Sequence, residues 1–184
     1  MAILKKILDI LADHGLLVFF SRSLHFCAAK FRLIFRNSEL QHAKWRSIRG
    51  SKAGETLFVL GNGPSLNITP LYLLKSSATM TFNGFTLMRN RVPWDPTHYM
   101  ITDDLVAEDL KEDIPKMCAV SETCFFPLIH PSNTDFSKFI KEEENVFWLD
   151  PTHLGFRSDL PKCGVNNTVV LASLQVASYL GYSR

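Results

Sequence analysis

The residues whose types and spacing best suit chemistry lie at positions 61–65 and read Gly-Asn-Gly-Pro-Ser. They follow an apolar run at 57–60, and a segment compatible with a helix begins near Thr69. A strand, a glycine-containing turn and a helix in that order are typical of a doubly wound nucleotide-binding fold, in which backbone N–H groups hold phosphate oxygens. Residue 66 is leucine, which excludes the dinucleotide fingerprint, and no Gly-Lys follows to make a Walker loop. This glycine turn (residues 61–65) therefore predicts a phosphate site, with a tight turn that binds nothing as the alternative.

A group of acidic residues forms a second candidate site. It comprises Asp103, Asp104, Glu108 and Asp109, directly after a predicted strand. Carboxylate oxygens suit Mg²⁺ bound to a phosphate substrate. The same residues could instead cap a helix and form its solvated face. The cluster predicts either a magnesium site or an ordinary helix start.

Further polar residues stand where a sheet or a helix would present them to a ligand. Asn83 follows a predicted strand, and ligands bind at the carboxyl ends of strands in open α/β sheets, although Asn83 could simply cap a turn. The segment 162–168 precedes the last helix, where Asn167 and Thr168 could hold a second phosphate or a sugar, or only cap the helix. His130 and His153 lie in predicted loops and are candidates for proton transfer, and Asp103 and Asp104 are further catalytic candidates. The sequence identifies none of them as the general base.

Alternating strands and helices must position these residues. The predicted strands lie at 56–60, 78–82, 97–102, 119–121 and 146–149, and the predicted helices at 70–75, 105–117, 135–144 and 167–180. Such alternation implies right-handed crossovers and a sheet covered on both faces. We predict a Rossmann-like three-layer α/β domain with a mostly parallel sheet over residues 51–184.

The charge of the chain is unevenly distributed. The net charge of +2 combines residues 1–54, with ten Lys/Arg against three Asp/Glu, and the remainder, with ten against fifteen. Residues 1–50 are apolar at helical spacing with basic residues between, which predicts an amphipathic basic helical extension. No run reaches the roughly 18 to 20 apolar residues that cross a bilayer. The extension either packs on the body or a second subunit, or lies through residues 1–36 on an anionic membrane.

The cysteine content and the basic extension indicate the compartment and the partners of the protein. Four scattered cysteines without metal-ligand spacing indicate a reduced, cytoplasmic setting, with peripheral attachment to the inner face of the membrane as an option. A homo-oligomer is compatible with the extension. No specific nucleic-acid partner is expected.

Three segments carry a resemblance to known families. Residues 58–66, 102–109 and 177–182 resemble the MptE-like domain family, which includes archaeal 6-hydroxymethylpterin diphosphokinases and bacterial motility-associated glycosylation factors. The glycine turn, Asn83 and residues 163–165 are also similar to bacterial family 42 sialyltransferases. The resemblance implies nucleotide binding by the turn, by Asn83 and near the last helix. The residues expected to bind the nucleotide are Gly61, Asn62, Gly63, Pro64, Ser65, Asn83, Gly164, Asn167 and Thr168.

The resemblance leaves three functions open. The first is transfer of a nucleotide-activated, CMP-type sugar during bacterial surface-glycan or flagellin glycosylation. The second is transfer of pyrophosphate from ATP to a pterin alcohol, with Mg²⁺ on the four acids. The third is a non-catalytic nucleotide-binding or scaffold domain. These families continue with a further strand after the segment that matches residues 181–182, so the chain is expected to be a fragment that lacks part of the catalytic apparatus.

Overall fold

A computed structural model describes residues 39–184, except residues 133, 154, 166 and 167 and the side chains of residues 152 and 153. One compact unit spans Ser38–Arg184. The predicted membrane contact of residues 1–36 lies outside the described residues, as do Asn167 and the side chain of His153. Within the described part of the chain, no helix is long and apolar enough to cross a bilayer.

Six parallel strands form one sheet in the order β1-β2-β3-β4-β5-β6. They are β1 (Leu57–Leu60), β2 (Ala78–Phe82), β3 (His98–Met100), β4 (Thr123–Pro127), β5 (Val146–His153) and β6 (Lys162–Gly164). The sheet and its helices confirm the predicted α/β, Rossmann-like class. The strand order is continuous, however, and lacks the reversal that defines doubly wound order.

Two helices and one face of the sheet form the main core. The helices are α1 (Glu39–Ile48) and α4 (Val169–Leu180). Side chains alternate between the faces of a strand, so residues two apart on the strands meet these helices together. Their cluster of buried side chains includes Trp45, Met80, Phe82, Met100, Phe125, Phe147, Leu149, Cys163, Val176 and Tyr179. The buried apolar residues of the connections between strands, among them Leu66, Phe85, Met117 and Phe136, lie outside that cluster.

Helix α1 is part of the α/β domain. Its Trp45 is 1% exposed, and the indole N–H donates to the carbonyl oxygen of Trp148 over 3.0 Å. The hydroxyl of Tyr179 donates to the carbonyl oxygen of Trp45. The compact unit therefore begins at Ser38, and residues 39–50, assigned from sequence to the extension, pack with the sheet.

Helix α4 has a cap at each end. The hydroxyl of Thr168 accepts a hydrogen bond from the Val170 amide, which is how an N-cap residue satisfies a free N–H group. Gly181 closes the helix with φ of 92°, a left-handed conformation that favours glycine. After it the chain lies beside β1, because the Leu57 amide donates to the carbonyl oxygen of Arg184. The predicted helix at 167–180 is confirmed over Val169–Leu180.

The other predicted helices are shorter than the sequence indicated. Two α-helices, α2 (Asp104–Asp109) and α3 (Ile114–Cys118), replace one helix at 105–117. The chain turns between them, where the Asp113 amide donates to the Leu110 carbonyl oxygen, and Pro115 stands in the first turn of α3, where proline is tolerated. Single 3₁₀ turns at Leu71–Leu74 and Phe136–Lys138 replace the helices at 70–75 and 135–144.

The strands β4 and β6 also differ from the sequence prediction, one in its position and the other in being absent from it. The predicted strand at 119–121 is a turn after α3, in which the Ser121 amide donates to the carbonyl oxygen of Met117. The strand β4 lies four residues further along the chain, and its last residue, Pro127, lies beyond the end of the pairing with β3. The three-residue β6 has no counterpart in the prediction.

Candidate functional site

A cavity of about 560 Å³ opens at the carboxyl edge of the sheet, where the sequence placed the ligand. It collects residues that follow β2, β3, β4 and β6. Its lining comprises Asn83, Thr102, Asp103, His130, Pro131, Val165, Thr168 and Val169. Asn83, Asp103, His130 and Thr168 were all predicted site residues, and they come from four separate parts of the chain.

The glycine turn follows β1 and is exposed at every position from 61 to 65. No side chain of the described residues accepts a hydrogen bond from the four backbone N–H groups of this turn, which exclude Pro64. A Cβ added at Gly61 would meet nothing within 4 Å, and one at Gly63 would meet only the Ser65 hydroxyl, at 3.8 Å. The space above the turn is therefore open. The helix that follows is only a four-residue 3₁₀ helix, Pro64–Asn67, so its dipole adds little to these amides.

The side chain of Asn62 connects this turn to the neighbouring strand. Its Nδ2 donates to the carbonyl oxygen of Phe82 over 2.8 Å. Phe82 ends β2 and immediately precedes Asn83. Asn62 therefore holds the glycine turn next to Asn83, and its side-chain NH₂ group is engaged in this structural hydrogen bond.

Asn83 combines a left-handed backbone conformation with a buried side-chain oxygen. Its φ of 43° is in the left-handed region, and its carbonyl oxygen accepts a hydrogen bond from the Tyr99 hydroxyl at 2.8 Å. Its side-chain Oδ1 is buried and has no hydrogen-bond partner among the described residues. A buried acceptor left unpaired costs about 1–3 kcal/mol, which a ligand that donates a hydrogen bond would recover.

The two acids at the start of α2 have protein partners. Asp103 is the N-cap, and its Oδ1 accepts from the Val106 amide over 3.0 Å. Asp104 accepts from the hydroxyls of Ser132 and Thr134. Burial by itself would raise the pKa of Asp104, but these two hydrogen bonds lower it, and so does the neighbouring His130 ring when it is protonated.

The structure does not gather the four acids into one group of metal ligands. Glu108 and Asp109 are exposed further along α2. Among the residues that the structure describes, no group of three or more His, Cys, Asp or Glu side chains could hold a metal ion. The helix-cap alternative accounts for Asp103, and a hydrogen-bond network accounts for Asp104.

That network joins α2 to the loop after β4. His130 Nδ1 lies 2.8 Å from the Ser132 hydroxyl and 3.5 Å from Asp104 Oδ1. Ser132 and Thr134 were not predicted to belong to the site. Only a run of small polar residues after an apolar strand could have indicated them, and such a run is typical of any loop.

Gly164 was expected to bind the nucleotide, but its backbone groups bind a side chain of the protein. Its amide donates to Gln175 Oε1 over 3.0 Å, and its carbonyl oxygen accepts from Gln175 Nε2 over 2.6 Å. A Cβ at this position would also collide with the backbone of Gly155. Close packing of β6 against its neighbours explains this glycine, and its amide is not available to a phosphate.

His98 is a structural residue. It is 1% exposed within β3, and its ring nitrogens contact the hydroxyls of Thr123 at 2.6 Å and Tyr182 at 2.8 Å. Burial, with a smaller contribution from the charge of Lys52, lowers its pKa from 6.5 to about 3. The imidazole is therefore neutral at physiological pH.

Comparisons with protein-family models, with curated proteins and with solved structures find no match for this chain. The resemblance carried by the glycine turn therefore stays a prediction.

Proposed function

We propose that this protein is a nucleotide-dependent transferase that binds a nucleotide-activated sugar of the CMP type at the carboxyl edge of its sheet. In a bacterial setting the reaction would serve surface-glycan or flagellin glycosylation. The glycine turn and Asn83 would hold the nucleotide, and the cavity that Asn83 lines would receive the sugar and its acceptor.

One observation carries the proposal. An exposed turn with free amides lies beside a buried acceptor that has no partner among the described residues, Asn83 Oδ1. A nucleoside monophosphate offers the matching groups, because its phosphate accepts hydrogen bonds from amides and its base or ribose can donate one to Asn83. A cavity of about 560 Å³ also lies within the range of roughly 300–1,000 Å³ that is usual for ligand sites.

The chemistry that this arrangement favours is stabilisation of a leaving group. When the bond between the sugar and the phosphate breaks, negative charge develops on the departing nucleotide. Fixed backbone N–H groups stabilise such charge without reorganisation, and that effect is often the largest single contribution to catalysis. Open glycine positions allow the phosphate to approach the chain closely.

Pyrophosphate transfer from ATP has less support. Enzymes that transfer phosphoryl groups use metal ions to bridge the phosphates. The four acids that would hold Mg²⁺ are not gathered into a ligand set in the described part of the chain. A measurement of sugar transfer then distinguishes a transferase from a non-catalytic nucleotide-binding domain.

Thermal-shift titration with CMP, CDP, UDP, ATP and GDP, with and without Mg²⁺, tests the proposal. A ligand at 100 times its dissociation constant adds about 2.7 kcal/mol to the free energy of unfolding. We expect CMP to raise the melting temperature without metal. Stabilisation by ATP only with Mg²⁺ would favour the diphosphokinase, and no shift with any nucleotide would refute nucleotide binding.

A substitution in the turn sharpens this test. Gly63 has φ of −71° and ψ of 160°, which a β-branched residue adopts easily, so Gly63→Val should fold normally. Its side chain would occupy the space assigned to the phosphate, and we expect CMP stabilisation to disappear. Ser76→Val, at an exposed position before β2, is the matched control and should retain it. Equal CMP binding by both variants would contradict the assignment of the turn.

A further inference from the structure

We propose that His130 accepts the proton of an acceptor hydroxyl in this reaction, and that Asp104 is the positioning residue that orients its ring. The inference rests on the proposed transferase function and deepens it, because it commits the acceptor substrate to an alcohol. It is carried by the contacts of the His130 ring and by its place in the cavity wall.

The ring is held on one side only. Nδ1 lies 2.8 Å from Ser132 Oγ and 3.5 Å from Asp104 Oδ1. Ser132 Oγ also donates to Asp104 Oδ2, which accepts from the Thr134 hydroxyl at 2.9 Å as well. Three side chains from one loop thus converge on a single carboxylate at the start of α2.

The donors in this network determine where the imidazole proton lies. Asp104 is ionised at neutral pH because its pKa is lowered, so it only accepts, and the hydroxyl hydrogen of Ser132 is directed to it. The contact between Ser132 Oγ and His130 Nδ1 is then a hydrogen bond only if Nδ1 is the donor. The Ser132 amide favours the opposite tautomer, but it is further from Nδ1, at 3.2 Å against 2.8 Å for the hydroxyl. We therefore assign the proton to Nδ1 and a lone pair to Nε2.

The opposite side of the ring is available to a ligand. His130 lines the cavity with Asn83, Thr102 and Thr168, and its Nε2 has no hydrogen-bond partner among the described residues. The side chain of His130 is 22% exposed. The titratable groups of the described chain that face it are Asp104, in direct contact, and Asp103, in the same cavity wall.

In this step one bond forms and one bond breaks at the anomeric carbon of the sugar. The hydroxyl oxygen of the acceptor forms a bond to the anomeric carbon of the activated sugar, and the bond from that carbon to the phosphate oxygen breaks. The nucleoside monophosphate leaves with that electron pair, beside the glycine turn. The hydroxyl proton passes to Nε2, and the resulting imidazolium, stabilised by Asp104, later releases it to water. General base catalysis of this kind contributes about 10²–10⁴-fold to the rate.

The first test needs no turnover. Nitrogen-15 NMR of the histidine rings in the full chain should show the Nδ1–H tautomer for His130, and saturating CMP should shift its resonances. Asp104→Asn should change the tautomer balance. The exposed His42 on α1 is the internal control, and its resonances should not respond to CMP. A His130 ring that carries its proton on Nε2, or that ignores bound CMP, would overturn the inference.

The second test measures turnover of a CMP-activated sugar with an alcohol acceptor. We expect His130→Gln to lower kcat by about 100-fold or more, with a far smaller change in the dissociation constant of CMP. Asp104→Asn should lower kcat by a smaller factor and should alter the acidic limb of the plot of kcat against pH. His42→Gln should match the wild-type protein in kcat. A wild-type protein that binds no CMP refutes the proposed function itself. Normal CMP binding with an undiminished kcat in His130→Gln refutes only the role of His130.

Discussion

Gln175 in α4 forms hydrogen bonds with both backbone groups of Gly164 in β6. Its Oε1 accepts from the Gly164 amide over 3.0 Å, and its Nε2 donates to the Gly164 carbonyl oxygen over 2.6 Å. The same Oε1 accepts from the Arg157 amide over 2.9 Å. One fully buried side chain therefore fixes the last helix to the edge strand and to the loop before it.

Replacement of Gln175 by leucine should be severely destabilising. It would leave two backbone N–H groups and two carbonyl oxygens without this partner, and each buried group left unpaired costs about 1–3 kcal/mol. We expect the free energy of unfolding, measured with urea, to fall by about 3 kcal/mol or more. Ser178→Ala, at an exposed position on the same helix, should change it by less than about 0.5 kcal/mol. Equal stability of both variants would contradict the assigned hydrogen bonds.

Asn83→Gly should separate binding from folding. Glycine adopts the φ of 43° without strain, so the variant should fold with unchanged or slightly higher stability. It removes Oδ1, the buried acceptor assigned to the nucleotide, and CMP binding should weaken by about tenfold or more, as measured by calorimetry. Unaltered CMP affinity in a folded Asn83→Gly variant would remove this residue from the site.

The buried His98 predicts a loss of stability in acid. Its pKa of about 3 in the folded state is below the value of about 6.5 expected when unfolded, so only the unfolded chain takes up this proton between those values. Its contribution to stability is complete above pH 6.5 and is lost as the pH falls through the interval, by about 1.4 kcal/mol per pH unit.

Urea unfolding at pH 7.5, 6 and 5 measures this loss. Carboxylates also change the slope of the free energy of unfolding against pH, so the wild-type protein is compared with His98→Gln. The glutamine side chain keeps a hydrogen-bond donor and an acceptor but does not titrate. We expect the wild-type protein to lose more stability than the variant between pH 6 and pH 5. Parallel pH dependences would show that His98 is protonated in the folded state.

Trp45→Ala tests whether α1 is part of the domain. The side chain is 1% exposed and its ring centroid lies 5.4–5.7 Å from those of Phe125, Phe147 and Tyr179. We expect the free energy of unfolding to decrease by about 3–5 kcal/mol. Leu40→Ala is the control on the same helix, because Leu40 is 80% exposed. Similar small effects of the two substitutions would mean that α1 is dispensable.

The sequence predicted the elements that local pattern specifies. The run at 78–82 is a strand over the predicted residues, and Thr168, one of the two predicted cap candidates, caps α4 through a side-chain preference that acts within a few positions. The cap at Gly181 follows from a local backbone preference that the prediction did not include. The strand β4 was misplaced because a buried parallel strand is continuously apolar, and Pro127 resembled a loop signal. The strand β6 exists only because β5 offers it hydrogen bonds, and three residues carry no pattern of their own.

The sequence by itself determined that a glycine turn would follow a strand, that helix α4 would be capped, and that polar residues would follow several strands. Only the tertiary structure decided which of these residues meet. Asn83, Asp103, His130 and Thr168 share one cavity because β2, β3 and β4 are neighbours and α4 begins at the same edge of the sheet. Backbone hydrogen bonds are alike for every pair of strands, so the order is set by long-range packing of the core, which no local pattern encodes.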